Sequence, residues 1–253
     1  PNLYFTRDPG ACVGNGINIH RMHTPARKRE SLLLKYMYLY NRDFATEENK
    51  QWYDLSDSYS IEGGDVLVLS KDIVAVGLSQ RTTVSGAETF ARNLLQNSGF
   101  KKVLAFDIPE TRAFMHLDTV FTMVDYDKFT IHPAIMGTLK VYKLTPGKNP
   151  GEVEITETTD TLEHVLASAL GIDAVKLIPC GGGDPIAAAR EQWNDGSNTL
   201  AVAPGKICVY QRNNVTNDVL YKEGMELLVV PSAELSRGRG GPRCMSMPIW
   251  RED

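Results

Sequence analysis

The chain has 253 residues, of which 42% are hydrophobic and 23% are charged, a composition typical of globular proteins. Its formal net charge of −4 argues against nucleic acid or an anionic membrane as the main partner. Its four cysteines show no CxxC pairing, which argues against structural zinc or a disulfide scaffold. Isolated cysteines fit a reducing compartment, so we expect a cytoplasmic protein.

The predicted elements alternate between strand pairs and helices along the chain. Residues 66–69 and 73–77 are predicted strands around a polar turn, and SGAETFARNLLQNSG is a helix that stops at Gly99. A strand at KKVLAFDIP precedes a second strand pair in HLDTVFTMVDYDKFTIHP and a second helix in DTLEHVLASALGI. The remaining elements are a strand in DAVKLIPCGGGD, a strand pair in SNTLAVAPGKICVYQRN, a helix in TNDVLYKEG and a strand in MELLVVPSAEL.

This recurrence of strand, strand, helix and strand is typical of a repeat architecture. Because helices separate the strands, we predict an α/β fold of repeated ββαβ modules and not an all-β propeller. The polar motifs TRDP, EGGD, MHLD, CGGGDP and RGGPRC lie beside predicted strands. We expect these motifs at strand ends that meet at one centre, where a site can form.

The stretch SRGRGGPRCMSMPIW places Cys244 in a loop rich in glycine and arginine. Nearby cations lower the pKa of a thiol, and a loose backbone admits a substrate. We therefore expect Cys244 to be reactive, with an incidental loop thiol as the alternative. The other cysteines, Cys12, Cys180 and Cys208, are predicted to be packing thiols.

The same motifs carry an imidazole and four carboxylates: Asp8, Glu62, Asp65, His116 and Asp118. A cysteine beside a histidine suggests nucleophilic catalysis, which needs at most one carboxylate behind the histidine. The surplus carboxylates indicate a cationic substrate, because two of them can hold a planar guanidinium through paired hydrogen bonds. Each residue alone also has a structural interpretation, such as a turn-forming aspartate or a histidine oriented by a carboxylate.

The glycine-rich motif CGGGDP lacks the Lys-Ser/Thr of a phosphate loop. We interpret it as a tight strand end that lets the backbone approach the site. Asp184 within this motif fits a site role and a structural role equally well. The segment RKRE is interpreted as a solvated charged face apart from Arg27.

Five motifs occur together and in order: NLYFTRDP, EGGD, MHLDTVF, GGGDPIAAAREQWNDGSN and SRGRGGPRCMSMP. In this combination the chain resembles the arginine deiminases of the guanidino-modifying, or pentein, superfamily. The resemblance runs from Asn2 to the last residues. It implies a five-bladed α/β propeller and hydrolysis of L-arginine to L-citrulline and ammonia, without a metal or organic cofactor.

The resemblance also implies roles for individual residues. Cys244 resembles the nucleophile that forms a covalent amidino–thioether, and His116 resembles the general acid and base. Glu62 resembles the carboxylate beside that histidine, while Asp8 and Asp118 resemble the pair that binds the guanidinium nitrogens. Arginines at three positions resemble contacts for the substrate α-carboxylate, and three further residues resemble other substrate contacts: Arg27, Arg81 and Arg239, then Asn2, Phe5 and Gly238.

The sequence departs from the family pattern in one respect, because family members normally begin well before the NLYFTRD motif. We therefore expect residues 1–253 to be a single catalytic propeller domain and a fragment that lacks an N-terminal module and a helical insertion. The expected partner is the small molecule L-arginine, with neither nucleic acid nor membrane. A homo-oligomer stays open.

Two alternatives to an arginine deiminase follow from the same residues. Another guanidino-modifying hydrolase or an amidinotransferase would share the nucleophile and the carboxylates, although three arginines placed for a carboxylate favour arginine over agmatine. A non-catalytic truncated fragment is the second alternative, and exposed apolar surface would favour it.

Overall fold

The structure of the protein is a computed structural model, and it describes residues 3–44, 50–137 and 139–252, without the side chain of Arg112. The strands in chain order are β1 Gly10–Val13, β2 Gly16–Ile19, β3 Lys50–Tyr53, β4 Val66–Ser70, β5 Ile73–Leu78, β6 Lys102–Asp107, β7 Phe121–Met123, β8 Lys128–Ile131, β9 Lys140–Pro146, β10 Val153–Glu157, β11 Lys176–Pro179, β12 Leu200–Ala203, β13 Lys206–Tyr210 and β14 Glu226–Val230. The α-helices are α1 Lys28–Tyr40, α2 Val84–Asn97, α3 Leu162–Leu170, α4 Pro185–Gln192 and α5 Asn214–Lys222.

The strands of the described residues form four sheets, and each sheet contains one ββαβ module. In every module two strands pair as an antiparallel hairpin, a helix follows, and the next strand lies parallel to the second hairpin strand. The modules are β1-β2-α1-β3, β4-β5-α2-β6, β7-β8-α3-β11 and β12-β13-α5-β14. The predicted α/β class and its repeated unit are therefore confirmed, and no sheet of the described residues closes on itself.

The hairpin of β9 and β10 was not predicted. It follows β8 in the chain but joins the sheet of the second module, where β9 pairs antiparallel with β6. The sequence signal for this hairpin is the apolar alternation on both sides of the turn at residues 146–151. A prediction based on the ββαβ repeat does not include the hairpin, because the hairpin interrupts that repeat.

Helix α2 illustrates how a module buries its apolar face. The Thr83 hydroxyl accepts from the Gly86 amide and caps the helix start, while Phe90, Ala91 and Leu94 are fully buried against the sheet. The helix ends at Asn97, and Gly99 lies two residues beyond that end. None of the described helices has the length and apolar character that crossing a bilayer requires.

The predicted position of the polar motifs needs a correction. Three of them lie before the first strand of a module and not after a strand: TRDP before β1, EGGD before β4 and MHLD before β7. The segment DGSN has the same place before β12, while RGGPRC follows β14. The motif CGGGDP does follow a strand, β11, but its Gly181 backbone packs against Ala188 of α4, where a Cβ would lie 2.2 Å from the Ala188 nitrogen. The close approach therefore serves helix packing, and Asp184 caps α4 by accepting from the Ala187 amide.

Candidate active site

The segments that precede the four modules meet at the centre of the molecule, together with the turn that holds Cys244. Each donates a hydrogen bond to the next, which gives a closed circuit that we call the central ring. Two of its bonds join backbone groups: Gly63 N donates to Asp8 O (3.1 Å), and Arg7 N donates to Cys244 O (3.2 Å). The other three involve side chains: Leu117 N donates to Asp65 Oδ1 (2.7 Å), Asn198 Nδ2 donates to Asp118 O (3.1 Å), and Cys244 N donates to Asn198 Oδ1 (3.1 Å). The ring brings the predicted catalytic residues together.

Cys244 lies within the ring, and only 8% of it is exposed. Burial raises the pKa of its thiol well above the ordinary value, and the charges of Asp118, Asp8 and Asp195 raise it further. The expectation of a thiol with a lowered pKa was therefore wrong for the unliganded protein. The reason is that two arginines of the loop, Arg237 and Arg239, are exposed, while carboxylates from other motifs surround the thiol.

His116 and Glu62 form a buried pair, with 2.8 Å between Nε2 and Oε2. Burial lowers the pKa of His116, but the charge of Asp8 and the bond to Glu62 outweigh it and raise that pKa to about 10. Burial likewise raises the pKa of Glu62, yet His116 and Arg81 lower it to about 2. At neutral pH the pair is therefore an imidazolium and a carboxylate, and His116 holds a proton that it can donate.

Asp8 and Asp118 share an arrangement that bears directly on ligand binding. Oδ2 of Asp8 accepts from Arg27 Nη1 over 2.8 Å, and Oδ2 of Asp118 accepts from Arg243 Nη1. The second oxygen of each residue, Oδ1, is buried and has no hydrogen-bond partner among the described residues. Because a buried acceptor without a donor is costly, both oxygens are suited to receive N–H groups of a ligand.

Asp65 is fully buried and supports the site without reaching a ligand. Its Oδ2 accepts from the hydroxyls of Ser79 and Thr82, and its Oδ1 accepts from the Leu117 amide beside His116. Burial raises its pKa to about 6 against these hydrogen bonds. Asp65 thus connects the turn that carries Arg81 to the turn that carries His116.

The three predicted carboxylate-binding arginines differ in their surroundings. Arg27 contacts the carboxylates of Asp8 and Glu30, and Arg81 lies 3.6 Å from Glu62 Oε2. Glu30 is buried, so the RKRE segment is not an entirely solvated face. Arg239 is exposed in a left-handed backbone conformation with φ of 60°, at the end of the 3₁₀ turn Leu235–Gly238.

The remaining predicted substrate contacts are Phe5, Gly238 and Asn2. The Phe5 ring packs against Gly240, where a Cβ would lie 2.3 Å from Cε1, so this ring borders the Cys244 loop. Gly238 is exposed on the same loop, and Asn2 lies outside the described residues. The substrate roles of all six binding residues stay predictions.

A metal site was not predicted, but three potential ligands do lie close together. Within the described part of the chain, Asp8, Glu62 and His116 offer atoms that are all within 4.8 Å of one another. His116 Nε2 contacts Glu62 Oε2 at 2.8 Å and His116 Nδ1 lies 3.9 Å from Asp8 Oδ1, so the three side chains already face one another as ion pairs. The chemistry of this group fits an ion-pair cluster.

The sequence also matches a known protein family. The family model described as "ADI: Arginine deiminase" matches residues 1–251. The chain belongs to the arginine deiminase family. Family members in the curated comparison include the arginine deiminase of Treponema denticola, 53% identical over 255 residues, and that of Clostridium perfringens, 56% identical over 257 residues. Each alignment covers 100% of this chain and 62% of the relative, so the chain spans less than two thirds of their length.

Solved structures share the fold of this arginine deiminase family member at low sequence identity. One is the apo structure of ArgZ, an arginine dihydrolase from the ornithine–ammonia cycle in cyanobacteria, with a TM-score of 0.70 and 16% identity over 100% of this chain and 33% of that one. Another is a dimethylarginine dimethylaminohydrolase adduct, with a TM-score of 0.63 and 16% identity over 98% of this chain and 78% of that one. These likenesses support the pentein-type α/β fold.

Sequence reasoning missed three residues that contact this candidate site: Arg7, Asn198 and Arg243. Asn198 is fully buried and bridges Cys244 to Asp118. The signal that could have revealed it is its place before the first strand of a module, as for Asp8 and His116. Arg7 lies in the motif TRDP and Arg243 lies in the motif RGGPRC. Their contact forms only when folding brings together two positions that are 236 residues apart in the chain.

Proposed function

We propose that the protein of which this chain is part hydrolyses L-arginine to L-citrulline and ammonia through a covalent intermediate on Cys244. The observation that carries the proposal is a pair of buried oxygens without a hydrogen-bond partner among the described residues, Oδ1 of Asp8 and Oδ1 of Asp118, in the group around Cys244. The first of them also lies 3.9 Å from His116 Nδ1. A guanidinium offers N–H donors on separate nitrogens, so it can satisfy both oxygens with its central carbon presented to the sulfur. The names of the curated relatives agree, and they favour this reaction over the other guanidino-modifying activities.

Binding of the substrate would also change the ionisation of the nucleophile. Cys244 faces the carboxyl groups of Asp8, Asp118 and Asp195, whose negative charges oppose a thiolate. Burial raises the pKa of Asp195 to about 7, so this carboxyl is only partly ionised at neutral pH. A bound guanidinium brings a positive charge against two of these carboxylates and so favours loss of the thiol proton to solvent. The thiolate would therefore form when the substrate is in place.

The remaining chemistry uses His116 as the proton carrier. The thiolate adds to the guanidinium carbon, His116 gives its proton to the departing nitrogen, and ammonia leaves behind an amidino–thioether. Water then gives one proton to His116 while the water oxygen adds to the same carbon. The C–S bond breaks with its electron pair returning to sulfur as a thiolate, and the product loses its hydroxyl proton to solvent to give citrulline. Glu62 keeps His116 oriented and stabilises its protonated form in both steps.

The α-carboxylate of the substrate is assigned to Arg27, Arg81 and Arg239, with Phe5, Gly238 and Asn2 as further contacts. The proposal also takes the four modules as blades of a pentein-type propeller around the central ring, within one domain of residues 1–253. Its support is the ring itself, which every module joins. The reaction consumes a small soluble amino acid, in keeping with the predicted cytoplasmic setting.

The test is citrulline and ammonia release from L-arginine by the 253-residue chain, beside Cys244→Ser and the matched control Cys208→Ser. Cys208 lies in β13, so its substitution is expected to leave turnover intact. We expect equal amounts of both products, lost in Cys244→Ser, and no turnover of agmatine, which lacks the carboxylate. No product from the folded chain or from the longer protein of which it is part would overturn the proposal, and equal turnover of agmatine would overturn the assigned carboxylate contacts.

A further inference from the structure

Arg7 is a buried arginine that contacts the Cys244 turn at three points, and the reaction proposed above does not use it. Its backbone amide donates to Cys244 O over 3.2 Å, its Nε donates to Arg243 O over 3.2 Å, and its Nη2 donates to Ser246 Oγ over 3.1 Å. The Ser246 hydroxyl in turn donates to Arg243 O over 2.9 Å. One side chain therefore holds both flanks of the nucleophile.

Among the residues that the structure describes, the Arg7 guanidinium has no direct counter-ion. Only 2% of Arg7 is exposed, and no carboxylate of the described residues lies within ion-pair distance of it. Its side-chain acceptors are a carbonyl and a hydroxyl, both neutral. Burial lowers the pKa of Arg7 well below its ordinary value, and Asp118 and Cys244 are the nearby groups that favour its charge.

Arg7 also precedes the residue assigned to bind the substrate. Asp8 begins the segment before β1, its carbonyl accepts from Gly63 N, and His20 Nδ1 contacts the same carbonyl at 2.8 Å. A Cβ on Gly63 would lie 1.9 Å from the Arg7 carbonyl oxygen, so the backbone at this point is tightly enclosed. A shift of Arg7 would move Asp8 and the Cys244 turn together.

We infer that Arg7 is a positioning residue that fixes the Cys244 turn relative to the guanidinium-binding carboxylate of Asp8, and that its buried charge favours the thiolate. This inference rests on the proposed role of Cys244 as the nucleophile. The planar fork of arginine suits two acceptors on neighbouring residues, whereas a lysine ammonium supplies the charge without that geometry. Charge and geometry can therefore be separated by substitution.

The charged and titratable groups around the thiol must be considered together in such a test. The first module contributes Arg7 and Asp8, the MHLD segment contributes Asp118, and the fourth module contributes Asp195 and Tyr210, with Arg243 adjacent in the chain. Each of the variants below alters Arg7 or its acceptor and leaves these other groups in place.

The experiment measures the rate of alkylation of Cys244 by iodoacetamide in the full chain between pH 7 and pH 11.5, a range that extends well above the ordinary pKa of a thiol, read from the mass of the Cys244 peptide. The variants are Arg7→Gln, Arg7→Lys and Ser246→Ala, and the control is Arg21→Gln, which alters a half-buried arginine bonded to the Leu55 carbonyl. Thermal unfolding and turnover of L-arginine are recorded for each variant. Alkylation reports on the thiol whether or not the chain turns over arginine, so failure of the proposed function is seen separately.

We expect Arg7→Gln to move the alkylation midpoint upward by roughly one pH unit, the scale on which a nearby charge acts on a thiol. We expect Arg7→Lys to restore most of that shift but to leave kcat lowered by about tenfold, because the two flanks are no longer held together. Ser246→Ala should fall between Arg7→Lys and the wild type in kcat.

Three results would overturn the inference. An Arg7→Gln chain with a lower melting temperature but the wild-type alkylation profile would mean that Arg7 serves the fold alone. If Arg7→Gln does not fold, the Arg7→Lys chain decides, because wild-type kcat in that variant would rule out positioning by the guanidinium fork. An equal midpoint shift in Arg21→Gln would also remove the specific role of Arg7.

Discussion

Arg27 and Glu30 form an ion pair in which both side chains use most of their hydrogen-bonding groups. Nε and Nη2 of Arg27 donate to the Glu30 carboxylate, with a shortest distance of 2.8 Å, and Glu30 has a fully buried side chain. The remaining Nη1 reaches Asp8. The start of α1 is therefore joined through one guanidinium to a carboxylate of the site.

Arg27→Gln should destabilise the protein because it leaves Glu30 buried without its cation. Removing one partner of a buried pair costs about 3–5 kcal/mol, and we expect the low end because 18% of the Arg27 side chain is exposed. For a chain of this size the melting temperature should fall by roughly 6–12 °C. The double variant Arg27→Gln/Glu30→Gln should recover most of that loss in thermal unfolding. A double variant with the same melting temperature as Arg27→Gln would show that the unpaired Glu30 carboxylate does not cause the loss.

Glu62→Gln should move the alkaline limb of the pH profile of kcat/KM to lower pH by at least about one unit. The carboxylate is one of the groups that raise the pKa of His116 to about 10, and a neutral amide cannot replace its charge. The profile is measured by citrulline release. Asp160→Asn is the control, since Asp160 pairs with the exposed His164 and should leave the profile unchanged.

The same pair makes stability depend on pH in a defined window. His116 has a folded pKa above its ordinary 6.5, so its contribution is complete below pH 6.5 and is lost as the pH rises through about 10. Glu62 has a folded pKa below its ordinary 4.5, so its contribution is complete above pH 4.5 and is lost as the pH falls through about 2. The difference in unfolding free energy between wild type and Glu62→Gln should be greatest between these limits, near pH 4.5–6.5.

Gly64→Ala should impair catalysis by displacing the imidazole. A Cβ at this position would lie 2.6 Å from Cγ and Nδ1 of His116, a distance at which the ring must move. A misplacement near 1 Å can lower kcat by roughly a hundredfold, and the overpacking costs about 1–3 kcal/mol. Gly99→Ala is the matched control, because a Cβ there meets nothing within 4 Å, and its kcat and melting temperature should match the wild type. An active Gly64→Ala enzyme would argue against the assigned position of His116.

Arg239→Ala should raise KM by about tenfold while changing kcat by less than about threefold. A contact to the substrate carboxylate is made equally in the ground state and the transition state, so it affects binding more than the chemical step. The size follows from a charge-assisted hydrogen bond of about 1.5 kcal/mol. Arg237→Ala alters an exposed arginine paired with Glu234 and should leave KM unchanged. An unchanged KM in Arg239→Ala would remove that residue from the carboxylate contact.

Much of the fold was accessible from the sequence because its signals are local. The strand pair at Val66–Ser70 and Ile73–Leu78 shows apolar runs around a polar turn, and α2 carries a capping threonine and a clear apolar face. The β9–β10 hairpin was not predicted, because the prediction rested on the ββαβ repeat and this hairpin interrupts the repeat. Which sheet it joins depends on pairing with β6, a contact that no local pattern encodes.

The electrostatics of the site were not accessible in the same way. The composition around Cys244 suggested a cationic setting, yet the carboxyl groups that raise the pKa of its thiol are those of Asp8, Asp118 and Asp195, which belong to three other segments. Side chains next to each other in sequence can point in opposite directions, as the exposed Arg239 and the buried Arg243 do. The charge at a buried atom is set by packing across the whole chain.

The central ring has a consequence for the order in which the protein loses structure. Its backbone donors, Arg7, Gly63, Leu117 and Cys244, span almost the entire sequence, and each bonds to a group from a different segment. When one segment separates, its neighbours on both sides lose a partner. The four amides should therefore exchange their protons with solvent at one common rate, so the site exists only as long as all of its segments stay assembled.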